Sequence, residues 1–136
     1  MENKNLIKDK SYAFAIRIAN LYKHLTADKK EFILSKQVMR SGISIGANVQ
    51  ESDAAISMAD FSSKMSIAYK EAQETCYWLR LLHDTGYIDS KSYDSMFKDC
   101  TEICKILFTI LKSSGRIKTK QNDQSMNNES GVERNE

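Results

Sequence analysis

The chain has 136 residues, 41% of them hydrophobic and 28% charged, with five glycines and no proline, where average usage would supply about seven prolines. Proline breaks helices and shapes β-turns, so this composition fits one all-helical domain, long enough to bury about two thirds of its unfolded surface without staples. Twenty Lys and Arg against 18 Asp and Glu leave a formal charge of +2, too little for a dedicated nucleic-acid arm or a polybasic membrane anchor.

The first periodic segment carries Ile7, Ser11, Phe14, Ile18, Leu21 and Leu25 at alternating steps of four and three, a helix seam in coiled-coil rhythm. The pattern breaks at Thr26-Ala27-Asp28, and Glu31 follows Asp28 by three residues. That is the spacing of a capping box, and it predicts a second helix from near Lys29. This helix holds Phe32, Leu34, Val38, Met39, Ile43, Ile45 and Val49 over half its circumference, with Lys36, Gln37, Arg40, Ser44, Asn48 and Glu51 on the other half. Gly42 and Gly46 fall inside the apolar half. Each costs about 1 kcal/mol relative to Ala in a helix, so close backbone approach by a neighbouring helix is expected there. A phosphate loop would follow a strand and carry Lys-Ser/Thr after its glycines, and no such pair follows.

The third segment, after a cap at Ser57, shows Met58, Phe61, Met65, Ala68, Ala72, Thr75, Leu79 and Leu82 and ends at Gly86, a natural helix terminator. It has a second apolar edge, Ile67, Trp78 and Leu81 with Glu74 among them. A bundle core needs one stripe, so this edge, which holds the only Trp, points either to a neighbouring helix on that side or to a subunit interface. The fourth helix follows Asp89 and Ser90 with Tyr93, Met96, Cys100, Ile103, Leu107 and Ile110 as its seam, flanked by Phe97, Cys104 and Leu111, and stops at Gly115. Residues 116–136 have almost no apolar content and are expected to be a disordered polar tail. Residues 1–115 are thus expected to form an all-α, antiparallel up-down-up-down four-helix bundle.

Neither a membrane span nor the apolar core of a signal peptide is present in the sequence, so a cytoplasmic protein without membrane contact is expected. The cysteines, Cys76, Cys100 and Cys104, are odd in number and sit at helix-periodic positions, which favours reduced core thiols over disulfides. Cys100 and Cys104 share a helical face, with His83 a conceivable third ligand, but structural zinc wants four. Neither His24 nor His83 has a Glu three positions before it, as a di-iron bundle requires. No metal or cofactor is expected. Arg17 and His24, with six residues between them, resemble the Arg-x4-6-His element of helical-bundle ribonucleases only loosely, because Ile18 follows the Arg and the pair lies on the first helix. No catalytic residue is assigned.

Charge is distributed unevenly. Residues 1–40 carry nine basic and four acidic side chains, residues 41–115 seven and ten. Lys29, Lys36 and Arg40 project at nearly one angle from the predicted second helix, with Lys30 beside them, a stripe able to track phosphates without reading bases. The opposing reading is a wet face, with Arg40 paired to a carboxylate such as Glu51 or Glu74. No exposed aromatic is evident beside these residues.

The segment SKQVMRSGISIGANVQES, followed by ADFSSKMSIAYKEAQETCYWLRLL and TGYI, resembles the four helix bundle family also called 23S rRNA intervening sequence proteins. The similarity spans residues 5–115 and rests on Ser35, Gln37, Arg40, Ser41, Ser44, Ile45, Asn48 and Glu51 in the second helix. In the third it rests on Asp60, Phe61, Ala68, Glu71, Glu74, Trp78 and Leu79. Gln50-Glu51-Ser52 departs from an Ala-Glu-Gly-like turn common in the family. The resemblance implies a cyclic homo-oligomer, a pentamer, and brings no catalytic residues. A related accessory protein of diversity-generating retroelements uses a similar pentameric barrel to bind nucleic acid and a reverse transcriptase. The leading expectation is a non-enzymatic oligomeric bundle binding RNA or DNA through Lys29, Lys30, Lys36 and Arg40, with Ile67, Glu74, Trp78 and Leu81 at the subunit interface. A protein-interaction scaffold using Gln37, Ser44 and Asn48 is the alternative, and a helical-bundle ribonuclease the third reading.

Overall fold

The computed structural model describes residues 2–115, which form four α-helices: α1 (Glu2–Ala27), α2 (Leu34–Ser52), α3 (Met58–Asp84) and α4 (Ser90–Ser113). The expected polar tail, 116–136, lies outside the described residues. No strand occurs among the described residues, and no helix there is long and apolar enough to cross a membrane.

The apolar seams become the core with few changes. α1 buries Ile7, Ser11, Phe14, Ile18, Leu21 and Leu25, and α4 buries its seam from Met96 to Ile110 together with Cys104 and Leu111. α3 buries Met65, Ala68, Ala72, Thr75, Leu79 and Leu82 and adds Ser62. Met58, expected on that seam, is 64% exposed, because it opens the helix at the rim of the bundle beside Asn3 and Ser113. Ser57 caps α3 by accepting from the Asp60 N–H at 3.0 Å, and Asp89 caps α4 by accepting from the Ser92 N–H at 2.7 Å, each satisfying a donor that the first helical turn leaves unpaired.

The start of α2 departs from the sequence expectation. Asp28 does not cap a helix at Lys29; its carboxylate pairs with the His24 ring at 2.9 Å. The end of α1 closes on itself instead, with Lys29 N–H donating to His24 C=O, Glu31 N–H to Leu25 C=O at 2.9 Å, and Lys30 in the left-handed region at φ +56°. This six-residue closure around a left-handed residue forces the chain out of the helix. Glu31, turned inward to 9% exposure, then serves as the α2 cap. Its carboxylate accepts from the Ser35 N–H at 2.7 Å and the Ile33 N–H at 3.2 Å, while the Ser35 hydroxyl donates to Glu31 C=O at 2.8 Å. α2 therefore begins five residues beyond Lys29, and Phe32 and Ile33, freed from its apolar stripe, are 54% and 75% exposed.

Each helix packs against two others, α1 on α2 and α4, α3 on α2 and α4, and the diagonal pairs stand farther apart. Facing residues descend in number along one helix as they ascend along the next. Gly42 and Gly46 of α2 meet Ile18 and Ser11 of α1. Arg40 and Glu51 of α2 pair with Glu74 and Lys64 of α3. Tyr69 and Cys76 of α3 meet Phe108 and Cys100 of α4, and Lys10 and Arg17 of α1 pair with Glu102 and Asp99 of α4. The close approach expected at the two glycines is present. A Cβ on Gly42 would stand 2.8 Å from both Cγ atoms of Ile18, a buried β-branched side chain, whereas one on Gly46 would stand 3.4 Å from the Ser11 carbonyl oxygen.

These geometries set two stability predictions. Gly42→Ala should destabilise the protein by about 1–3 kcal/mol in urea unfolding, because overpacking outweighs the helical preference of Ala. Gly46→Ala should lie between neutral and about 1 kcal/mol more stable, and adding Ile18→Ala to Gly42→Ala should show coupling rather than additivity. For the α2 cap, burial alone would raise the Glu31 pKa, but the backbone N–H bonds from Ser35, Leu34 and Ile33 outweigh it and hold the carboxyl below its usual value. A depressed folded-state pKa gives stability that is present above the unfolded value of about 4.3 and is lost as pH falls through the folded value. Glu31→Ala should cost about 1 kcal/mol at neutral pH, and Glu31→Gln should remove this carboxyl's part of the acid-side loss.

Candidate nucleic-acid interface

The four expected phosphate contacts separate into two groups. Lys29 and Lys30 lie in the α1–α2 connection rather than on α2, so the single helical stripe is not formed; Lys36 and Arg40 alone remain a turn apart on α2. Lys29, Lys30 and Lys36 are exposed, as is Lys23 near the end of α1, and none of them is ion-paired among the described residues. The acidic neighbours of this end are occupied, Asp28 by His24 and Glu31 by the α2 backbone. Phe32, expected in the core, instead stands exposed between Lys30 and Lys36. An exposed aromatic thus stands two residues from Lys30 in the chain, where the sequence reading saw none.

Arg40 has a different role. Its guanidinium bridges Glu71, at 3.2 Å, and Glu74 across the gap between α2 and α3, with Nε 3.4 Å from Gln37 Oε1. Two carboxylates on one guanidinium leave a local charge of the wrong sign for phosphate, so Arg40 is a clamp between helices, as the opposing reading anticipated for Glu74. Beneath it Thr75 and Ser41, both fully buried, join α3 to α2. Thr75 Oγ1 lies 2.7 Å from the Glu71 carbonyl and 2.9 Å from Ser41 Oγ. With one proton, Thr75 donates to the carbonyl and accepts from Ser41.

Glu74 also accepts from Trp78 Nε1 at 3.0 Å, which orients the indole, and Tyr77 stands edge-on to it with ring centroids 5.0 Å apart. Among the interface candidates, Ile67 is 39% exposed and Trp78 and Leu81 are half-buried. Sequence reasoning missed a second apolar set: Tyr12 and Ile43, 70% and 39% exposed, line a groove with Ala15, Gly46 and Ala47 between α1 and α2, and Ile16, one turn after Tyr12 on α1, is 50% exposed. Tyr12 and Ile16 are four residues apart and off the α1 seam, the same signal that marked the second edge of α3. The polar α2 face named for a protein partner is spent locally, Ser44 donating to Arg40 C=O at 2.6 Å and Asn48 to Ser44 C=O at 2.8 Å.

The ribonuclease-like pair is not assembled. Arg17 is held by Asp99 and Ser95, His24 by Asp28. Nor does His83 join Cys100 and Cys104; it stacks on Tyr93 at 4.5 Å between centroids and meets Ser90 at 3.1 Å. The third member of the thiol group is Cys76. All three sulfurs lie within 4.8 Å of one another, and Cys100 donates to Ala72 C=O at 3.2 Å. The neighbouring Cys100 and Cys76 thiols lower Cys104 to about 4, while Cys104, Cys76 and burial push Cys100 up. Cys76 follows the seam residue Thr75 by one position, at the edge of the α3 seam that faces α4, where the sequence reading offers His83 instead.

No curated protein matches the chain. A crystal structure of a protein of unknown function from the S23 ribosomal protein family of Bacteroides thetaiotaomicron is 55% identical, covering 81% of this chain and 98% of that one with a TM-score of 0.80. The sequence pattern of the 23S rRNA-intervening sequence proteins matches residues 3–109, and the chain belongs to that family.

Proposed function

We propose that this protein is a non-enzymatic, antiparallel up-down-up-down bundle of the cytoplasm that assembles with copies of itself and binds RNA or DNA electrostatically. The contact surface is the end of the bundle made by the α1–α2 connection. The observation that carries this reading is Phe32, exposed among Lys29, Lys30 and Lys36, none of them ion-paired among the described residues. Lysines neutralise phosphates, and an exposed ring gives single-stranded bases a stacking surface. The backbone adds support. Lys30 occupies a left-handed conformation that costs an L-residue about 1–2 kcal/mol and that Gly would adopt freely, so a charged side chain is retained at a conformational cost. The descending order of facing residues supports the antiparallel arrangement.

Self-assembly rests on the two exposed apolar sets. A ring joins unlike patches of successive subunits, and Ile67 with Trp78 on α3, and Tyr12, Ile16 and Ile43 on α1 and α2, supply two. A pentamer, as the family resemblance implies, would repeat the lysine group five times around an axis and raise its potential well above the monomer's. The scaffold reading gains no observation, since Ser44 and Asn48 are already bonded within α2.

Fluorescence anisotropy with labelled single strands should give a log K against log salt slope near about −2 per three neutralised phosphates. Lys29→Glu with Lys36→Glu should weaken binding at least about tenfold, and Phe32→Ala should weaken single-strand binding by about 1–3 kcal/mol. Lys30→Gly separates folding from binding: stability should hold or rise while affinity falls. Binding indifferent to salt, or unchanged in the charge-reversed protein, overturns the assignment. For assembly, light scattering should find a discrete multimer that Trp78→Ala and Tyr12→Ala each weaken; a monomer at micromolar concentration overturns the ring.

A further inference from the structure

The three cysteines meet where α3 and α4 pack and nothing in the proposed nucleic-acid function uses them. Cys76 comes from α3, and Cys100 and Cys104 come from successive turns of α4. The Cys76 and Cys100 sulfurs are 2.9 Å apart and all three lie within 4.8 Å of one another. Three sulfurs held around one ion by metal–sulfur bonds of about 2.3 Å would stand about 4.0 Å apart in a plane, a spacing that these limits bracket. The group is also open on one side. Cys76 and Cys104 line a depression of about 480 Å³ with Tyr69, Gln73, Phe97 and Lys105, so an ion has a path in and a cation stands at the rim.

We propose that Cys76, Cys100 and Cys104 form a three-thiolate site for a soft metal ion, Cu+ by preference. Ligand number decides between the candidates. Structural Zn2+ takes four protein ligands, and among the described residues the metal-binding group stops at these three. Thiolates select Cu+, and an ion satisfied by three sulfurs needs nothing more from the protein. With Cys104 already a thiolate at neutral pH, binding breaks the S–H bonds of Cys76 and Cys100, releases two protons to solvent and forms three Cu–S bonds, with no change of oxidation state. The charge left on the site is −2, offset in part by Lys105. His83, the ligand the sequence suggested, is committed to Tyr93 and Ser90.

The test uses the full chain, kept anaerobic with a phosphine reductant, and Cu+ supplied as its bicinchoninate complex. One equivalent of Cu+ should transfer to the protein, protect Cys76 and Cys104, the thiols lining the depression, from maleimide, and raise the unfolding temperature by mass action. Cys76→Ser and Cys104→Ser, at the more accessible positions, should keep the helical circular dichroism of the parent and lose affinity by at least about 100-fold, beyond the effect of removing an outer partner. Neither should gain thermal stability from Cu+. Equal maleimide labelling with and without Cu+, stoichiometric binding that survives Cys104→Ser, or displacement of Cu+ by equimolar Zn2+ would each overturn the proposal.

Discussion

The contact on which the rest of the molecule depends is the approach of α2 to α1 at Gly42. With no Cβ on that residue, Ile18 packs directly onto the α2 backbone, and the rotation of α2 about its own axis is set by that one absence. Once α2 is turned this way, Val38, Ile45 and Val49 face the core. Ser41 meets Thr75, and Arg40 arrives between Glu71 and Glu74. The outer pairs contribute little individually, since exposed ion pairs are worth about 0–1 kcal/mol. Their importance is positional: Arg40 holds Glu74, and Glu74 holds the Trp78 indole.

A second consequence concerns the end of the bundle. Because α1 closes around Lys30 and α2 starts under Glu31, the intervening residues 28–33 form a connection whose acidic members are both engaged and whose basic members are free of ion pairs among the described residues. The basic character of the first third of the chain is thereby concentrated at one end, while Lys4, Lys8, Lys10 and Arg17 are neutralised along the sides by Asp53, Glu102 and Asp99. A net charge of +2 conceals this partition. The same connection leaves Phe32 and Ile33 in solvent, an arrangement that costs burial and is economical only where something covers them.

The other functional groups reflect how a bundle brings distant residues together. Cys76 and Cys100 are separated by 24 positions and Arg17 and Asp99 by 82. Helices side by side make such pairs routine, so the meeting of three soft sulfurs at the edge of an open depression is informative chiefly because no His, Asp or Glu joins them among the described residues.

Sequence by itself determined the helix count, the seams of α1 and α4, the cap at Ser57, the start of α4 after Asp89 and the close approach at the glycines, because each is a local or periodic property of the chain. It also marked the edge of α3 that holds Trp78. Tertiary structure alone decided where α2 begins. A carboxylate three residues after Asp28 reads as a capping box in one dimension, but burial of Glu31 against the first turn of α2 and the closure of α1 around Lys30 offered that end of the chain more hydrogen bonds than the box would have. It likewise decided that Arg40 faces carboxylates rather than solvent, that Phe32 stands outside, and that Cys76 rather than His83 completes the thiol group. Periodicity says which residues share a face of one helix; which face of the next helix they meet depends on the rotation of both, and that was set by a glycine and an isoleucine.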